Sequence, residues 1–267
     1  MPLLIERIEV LPRFLGFTCY VAGREPPEVV VMGGIAPESH VSIAVLNLLA
    51  KRLKDSSPKR RIRIVPLLNE FVYRLGASID LRYRYTFEAV YDAMKERIAA
   101  ILREAEVVLI VDSLPNAVEH TIVELDRTRI HPPTEIVVNS KPSLPPLIPE
   151  LEGKDFAMLV LNEASSANDL EHYVDALLDV LAGLGVVKRK SSKRSYHTYQ
   201  RIEYVRTPVE GVFIPSKRSG EQVVENEVLG MVDDVEVRAP CNGILLFHHS
   251  VRYVVPGTVL ASLACSE

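Results

Sequence analysis

Residues 28–32 (EVVVM) and 106–112 (EVVLIVD) are apolar at almost every consecutive position, with no polar alternation. A strand of that kind has to be covered on both faces, as the inner strands of a parallel sheet are. The first run ends at Gly33-Gly34, and Ser39 then stands where a helix N-cap is expected. Beyond it Val41, Val45, Leu48, Leu49 and Leu53 recur at helical spacing. Residues 61–67 (RIRIVPL) read as a second strand, residues 85–105 as a helix, and residues 155–162 as a further strand. Residues 167–184 follow as a helix ended by Gly185. Residues 131–150 hold six prolines and no helical period, so they read as a long loop with a strand at 135–138. This β-α-β-α order predicts an α/β domain with a mixed, mostly parallel sheet and helices on both faces.

The pattern changes at residues 188–194 (KRKSSKR), where five of seven residues are basic and none is apolar. After it come short strands at 201–205, 211–215, 235–239, 243–247 and 259–264. Turn signals separate them at Ser219-Gly220, Asn242-Gly243 and Pro256-Gly257. The chain of 267 residues thus divides into an α/β domain over 1–190 and a small all-β domain over 191–267. The basic run reads as a hydrated interdomain linker, with a weak, salt-sensitive contact to nucleic acid or an acidic partner as the alternative.

With 48% apolar and 25% charged residues the chain can build a core, which excludes wholesale disorder. A net charge of −4 is too mild to suggest a dedicated nucleic-acid binder, and no apolar run reaches the ~18 residues of a membrane span. The start, MPLLIERIEV, carries charges where a signal peptide would be apolar. Cys19, Cys241 and Cys265 are odd in number, far apart and without a CxxC pair. That argues against disulfides and a thiolate zinc site, and for a reducing cytoplasm.

Thr207-Pro208-Val209-Glu210-Gly211-Val212-Phe213, Ser219-Gly220-Glu221-Gln222-Val223 through Gly230, Ala239-Pro240-Cys241-Asn242-Gly243, and Pro256-Gly257-Thr258-Val259-Leu260 follow one another over roughly the last sixty residues. In order and spacing these segments resemble the succinylglutamate desuccinylase/aspartoacylase family, relatives of the zinc carboxypeptidases. The resemblance implies a zinc-carboxypeptidase-like α/β domain followed by a barrel-sandwich module like those of biotinyl and lipoyl carriers. A carrier needs a lysine at its hairpin tip; residues 231–237 have none, so the module reads as a cap on the first domain.

Family members end the first buried strand with G-G-x-H-G-x-E and bind zinc through that His and Glu and through the His of a later D-x-H. Here the corresponding residues are Ala36, Ser39 and Leu114. Zinc catalysis needs three N, O or S ligands and an open water position, so the resemblance implies descent from N-acyl amino acid deacylases with the metal site lost. No cofactor is expected, and no metal ligand is assigned. Zinc would require a remodelled site built from Glu38, His40 or His120.

The family's catalytic carboxylate corresponds to Glu163, in Leu161-Asn162-Glu163-Ala164-Ser165. Glu163 is thus either a general base or a strand-end carboxylate that caps the next helix. The family's substrate-binding block resembles Asn69-Glu70, Arg74 and Asp80-Leu81-Arg82-Tyr83-Arg84. Arg74, Arg82 and Arg84, with Asn69, are therefore candidates for gripping a small carboxylate, a task that suits a planar guanidinium. Two functions remain open: a deacylase with weak or no activity, and a non-catalytic binding or regulatory protein that uses the old pocket for a small carboxylate. His248-His249 reads as structural. The oligomeric state is open, a homo-oligomer included.

Overall fold

The computed structural model describes residues 3–11, 15–35, 39–68, 88–140, 151, 153–163, 165–190 and 195–266. Nine strands form one sheet: β1 (Leu4–Leu11), β2 (Leu15–Ala22), β3 (Glu25–Gly33), β4 (Arg60–Val65), β5 (Ala105–Leu114), β6 (His120–Val123), β7 (Ile136–Asn139), β8 (Asp155–Asn162) and β9 (His197–Tyr199). Their order is β1-β2-β4-β3-β5-β8-β6-β7-β9. The central strands β4, β3, β5 and β8 run parallel. β2 joins β4, and β6 joins β8, antiparallel, so the sheet is mixed.

The helices are α1 (His40–Ser56), α2 (Glu88–Leu102) and α3 (Ala167–Gly183). The consecutive apolar runs explain how the helices cover the sheet. Val29, Val31, Val107, Leu109 and Val111 point into one core with α1 and α3. Val30, Met32, Val108 and Ile110 point into a second core with Met94, Ile98 and Ile101 of α2. Side chains alternate along a strand, so a strand buried on both faces must be apolar throughout. Leu49 of α1 is fully buried in the first core, and truncating such a leucine to alanine costs about 2–5 kcal/mol.

Gly33 and Gly34 are needed for close approach. A Cβ on Gly33 would lie 2.7 Å from the Val111 carbonyl oxygen and 2.9 Å from Leu46 Cδ1. Gly34 has φ +62° and would meet the Pro66 carbonyl oxygen at 2.8 Å. Side chains there would push α1 away from the strand ends.

The strand at 155–162 lies as expected, and α3 ends one residue earlier than read. The helix read to residue 105 ends at Leu102, because Ala105 already pairs with Glu28 as the first residue of β5. β1, β2 and β6 carry no clear period and are set by pairing with neighbours already in the sheet.

After residue 200 two four-stranded antiparallel sheets follow. One has the order β10-β17-β15-β12 and the other β14-β13-β11-β16. The first comprises β10 (Arg201–Arg206), β12 (Gln222–Val223), β15 (Gly243–His248) and β17 (Val259–Cys265). The second comprises β11 (Gly211–Pro215), β13 (Val228–Val232), β14 (Val235–Arg238) and β16 (Arg252–Val254). Phe213, Val232, Leu245 and Leu263 fill the space between them. Ile244, Leu246 and Ala264 pack in turn against Ile122, Val138 and Tyr199 of the large sheet.

The cysteine arithmetic is corrected here. Cys241 and Cys265 are joined by a disulfide with a Cα–Cα distance of 5.9 Å, and Cys19 remains a buried free thiol. The spacing of 24 residues gave no signal, because the pair is created by the register that sets Gly243 opposite Cys265. Among the described residues no helix is long and apolar enough to cross a membrane.

Candidate functional site

β3, β5 and β8 are parallel neighbours, so their carboxyl ends lie side by side, where open α/β sheets place their ligand sites. The Glu163 amide donates to the Leu114 carbonyl at 3.0 Å and ties the end of β8 to that of β5. The Glu163 carboxylate then turns to the start of α1. Oε1 accepts from the His40 amide at 2.9 Å and from the Val41 amide at 3.2 Å, and Oε2 accepts from Val41 at 3.2 Å. Free N–H groups and the positive end of the dipole make a helix start a natural seat for a carboxylate. The carboxylate does cap a helix, but not the next one. α3 has its own capping box, in which Ser166 accepts from the Asp169 amide and Asp169 accepts from the Ser166 amide.

Ser39 stands at the N-cap of α1 but makes no side-chain cap. Its hydroxyl donates instead to Asp112 Oδ1 at 2.6 Å, with both residues buried. The Ser113 amide donates to the same oxygen at 2.9 Å. Ser113 Oγ accepts from the Ser42 amide at 3.2 Å; Ser42 Oγ donates to the Ser39 carbonyl at 2.9 Å and accepts from the Gly34 amide at 3.2 Å. Three hydroxyls and one carboxylate thus stitch the ends of β3 and β5 to the first turn of α1. Sequence reasoning passed over Ser42 and Ser113, although Ser42 follows Ser39 by one helical turn and Ser113 adjoins the strand-end carboxylate.

Beside this region a cavity of about 170 Å³ opens between α3 and the β6–β7 segment, lined by Leu159, Leu161, Thr134, Glu119 and Tyr173. The Tyr173 hydroxyl donates to Glu119 and lies 3.0 Å from Ser165 Oγ. Burial and the Glu119 carboxylate push the Tyr173 phenol well above its usual range.

Ala36 and Glu38, and the candidate ligand residues Asn69, Arg74, Arg82 and Arg84, lie outside the described residues. His40 meets Glu163 through its backbone. His120 is buried elsewhere, on β6, with Nδ1 2.8 Å from the Val118 carbonyl. Burial holds its imidazole down at about 4, so the ring is neutral at pH 7. Glu163, His40 and His120 do not form a ligand set, and no group of three or more His, Cys, Asp or Glu among the described residues is placed to hold a metal ion. A zinc ion fits the described residues poorly: Ser39 has its hydroxyl on Asp112, and Leu114 offers only carbon.

No protein-family model matches the sequence, and no curated protein matches it. Solved structures do match, end to end. An aspartoacylase family protein from Mesorhizobium loti superposes with a TM-score of 0.77 at 19% identity, over 100% of this chain and 95% of that one. The product-bound ectoine utilization protein from Ruegeria pomeroyi gives 0.78 at 17% identity, over 94% and 90%. A succinylglutamate desuccinylase/aspartoacylase from Rhodobacter sphaeroides gives 0.77 at 18% identity, over 99% and 95%. From the first sheet to the last strand, the chain has the fold of the succinylglutamate desuccinylase/aspartoacylase family.

Proposed function

We propose that this protein is a non-catalytic relative of the zinc-dependent N-acyl amino acid deacylases, binding a small carboxylate at the old substrate site, with hydrolase activity absent or very weak. The observation that carries the reading is the contact of Glu163 with α1. In a metal-dependent deacylase a carboxylate in this place must face a water molecule held by the metal and take its proton. Here the carboxylate rests directly on the His40 and Val41 amides at 2.9–3.2 Å, which leaves no water layer between it and the start of α1. The Ser39–Asp112 hydrogen bond supports the same reading, since it closes a ligand position with a satisfied buried pair.

In this proposal Arg74, Arg82 and Arg84, with Asn69, grip the ligand carboxylate. The two C-terminal sheets form a barrel-sandwich module that starts after about residue 190 and caps the site. The partner is a small molecule rather than nucleic acid or membrane, and the protein works in the cytoplasm. The burial of Cys241 and Cys265, at 5% and 0% exposure, shields their bond from reductants there.

The test is direct. The purified chain, with and without one equivalent of zinc, is incubated with N-acetyl-L-aspartate and N-succinyl-L-glutamate while amide hydrolysis is followed. Turnover no greater than in zinc-containing buffer alone is expected. Zinc-dependent turnover that Glu163→Gln abolishes in a folded protein would return the chain to the enzymes.

A further inference from the structure

We propose that the cavity between α3 and the β6–β7 segment is a binding site for a small alkylammonium ion. It is lined by none of the residues assigned to the carboxylate ligand, so it does not rest on that reading.

The cavity has apolar walls and an acidic end. Leu159 and Leu161 line it from β8, Ala176 from α3 and Ile136 from β7. Thr121 of β6 pairs with Leu159, and alternation puts Glu119, two residues before Thr121, on the same face of the sheet. The carboxylate of Glu119 thereby joins a wall that is otherwise built of core leucines. The volume of about 170 Å³ is close to the ~150 Å³ that takes up one benzene molecule, so the occupant has about six non-hydrogen atoms.

The charge of the occupant follows from where the protons of the wall go. The Tyr173 hydroxyl gives its proton to Glu119 Oε1. The Thr134 hydroxyl gives its proton to the Ile136 carbonyl at 2.8 Å, so in its 2.7 Å contact with Thr121 Oγ1 it accepts. Neither hydroxyl has a proton left for an anion. Among the described residues no hydrogen bond reaches Glu119 Oε2, which remains an acceptor. Glu135 adds a second carboxylate, and the described lining holds no lysine or arginine. His172, the one lining side chain able to carry a positive charge, is exposed to water. An ammonium group brings three N–H donors and the countercharge, while its alkyl tail covers the leucines. Hydrogen bonds to ionised groups are about twice as strong as neutral ones, so the site favours the ammonium ion over an alcohol of the same shape.

Isothermal titration of the full chain at pH 7 with isopentylammonium chloride, isopentanol and sodium isovalerate tests this, since the three share a branched tail. Leucine-methyl NMR is the second readout and reports on the cavity alone. The ammonium ion is expected to bind about tenfold more tightly than the alcohol and to move the Leu159 and Leu161 methyl resonances. Isovalerate is expected to leave those resonances in place, whatever it does at the carboxylate site. Glu119→Gln keeps an acceptor for Tyr173 but loses the charge, and should weaken isopentylammonium binding about tenfold. Ala176→Leu fills the cavity and should abolish binding; thermal melts verify that both variants fold. Isovalerate or isopentanol acting on the leucine methyls as strongly as the ammonium ion would overturn the ligand class. Affinity unchanged in Glu119→Gln would overturn the role of Glu119, and affinity unchanged in Ala176→Leu would overturn the cavity. No binding of isopentylammonium would overturn the proposal and leave the carboxylate reading untouched.

Discussion

The carboxylate of Glu163 and the backbone amide of Val41 lie 3.2 Å apart although 122 residues separate them. The contact turns a strand-end carboxylate into the N-terminal cap of a helix that follows a strand two places away in the sheet. Glu163→Ala is expected to destabilise the fold by about 1 kcal/mol, the usual worth of a cap at a helix start. Glu163→Gln, which keeps one acceptor, should lose less. Urea unfolding at pH 7 should show a lower midpoint with unchanged slope; a general base held away from the helix would give no such shift.

Ser39→Ala removes one donor from a buried carboxylate. Asp112 is 2% exposed and would keep the Ser113 amide while losing the 2.6 Å hydroxyl. The expected cost is about 1–3 kcal/mol, that of a buried polar group left short of a partner. Differential scanning calorimetry of the variant against the parent checks it, and a Tm equal to the parent's would refute the Ser39–Asp112 bond.

The disulfide makes a quantitative thiol prediction. Without reductant one thiol per chain should react in denaturant, that of Cys19, and none in the native state. Burial pushes the Cys19 thiol up to about 12, so it is not a nucleophile at neutral pH even if reached. Cys241→Ser should cost about 3 kcal/mol, the chain-entropy value for a loop of this length. Three reactive thiols in non-reducing denaturant would rule out the bond.

His120 predicts acid sensitivity. Its folded value of about 4 lies below the ordinary 6.5, so the unfolded chain takes up a proton between these limits and the native chain does not. Stability is therefore complete above pH 6.5 and falls as pH drops towards 4, by about 3 kcal/mol from this residue. His120→Phe should remove that slope from urea midpoints measured between pH 7 and 4.5. A parent protein with a flat profile over this range would show that the ring is not buried neutral.

The inner sheet was legible because its information is local. Val29 to Met32 and Val107 to Val111 are apolar on both faces, and only a strand between two helical layers satisfies such a run. The helical period of α1 and the glycine stop after α3 are equally local. The family resemblance drew attention to Glu163, and the structure places it at the strand ends.

What only the tertiary structure decided depends on which distant segments meet. Ser39 was the expected cap of α1 by residue type, yet its hydroxyl goes to Asp112, 73 residues away, and Glu163 takes over the cap. β6 is four residues long, too short for a period to show, and exists because β8 and β7 flank it. Cys241 and Cys265 meet because β15 and β17 pair in one register. Periodicity fixes which face of an element is apolar, but a hydrogen bond or disulfide forms between whichever groups the packed faces bring within about 3 Å, and that distance is a property of the assembled layers.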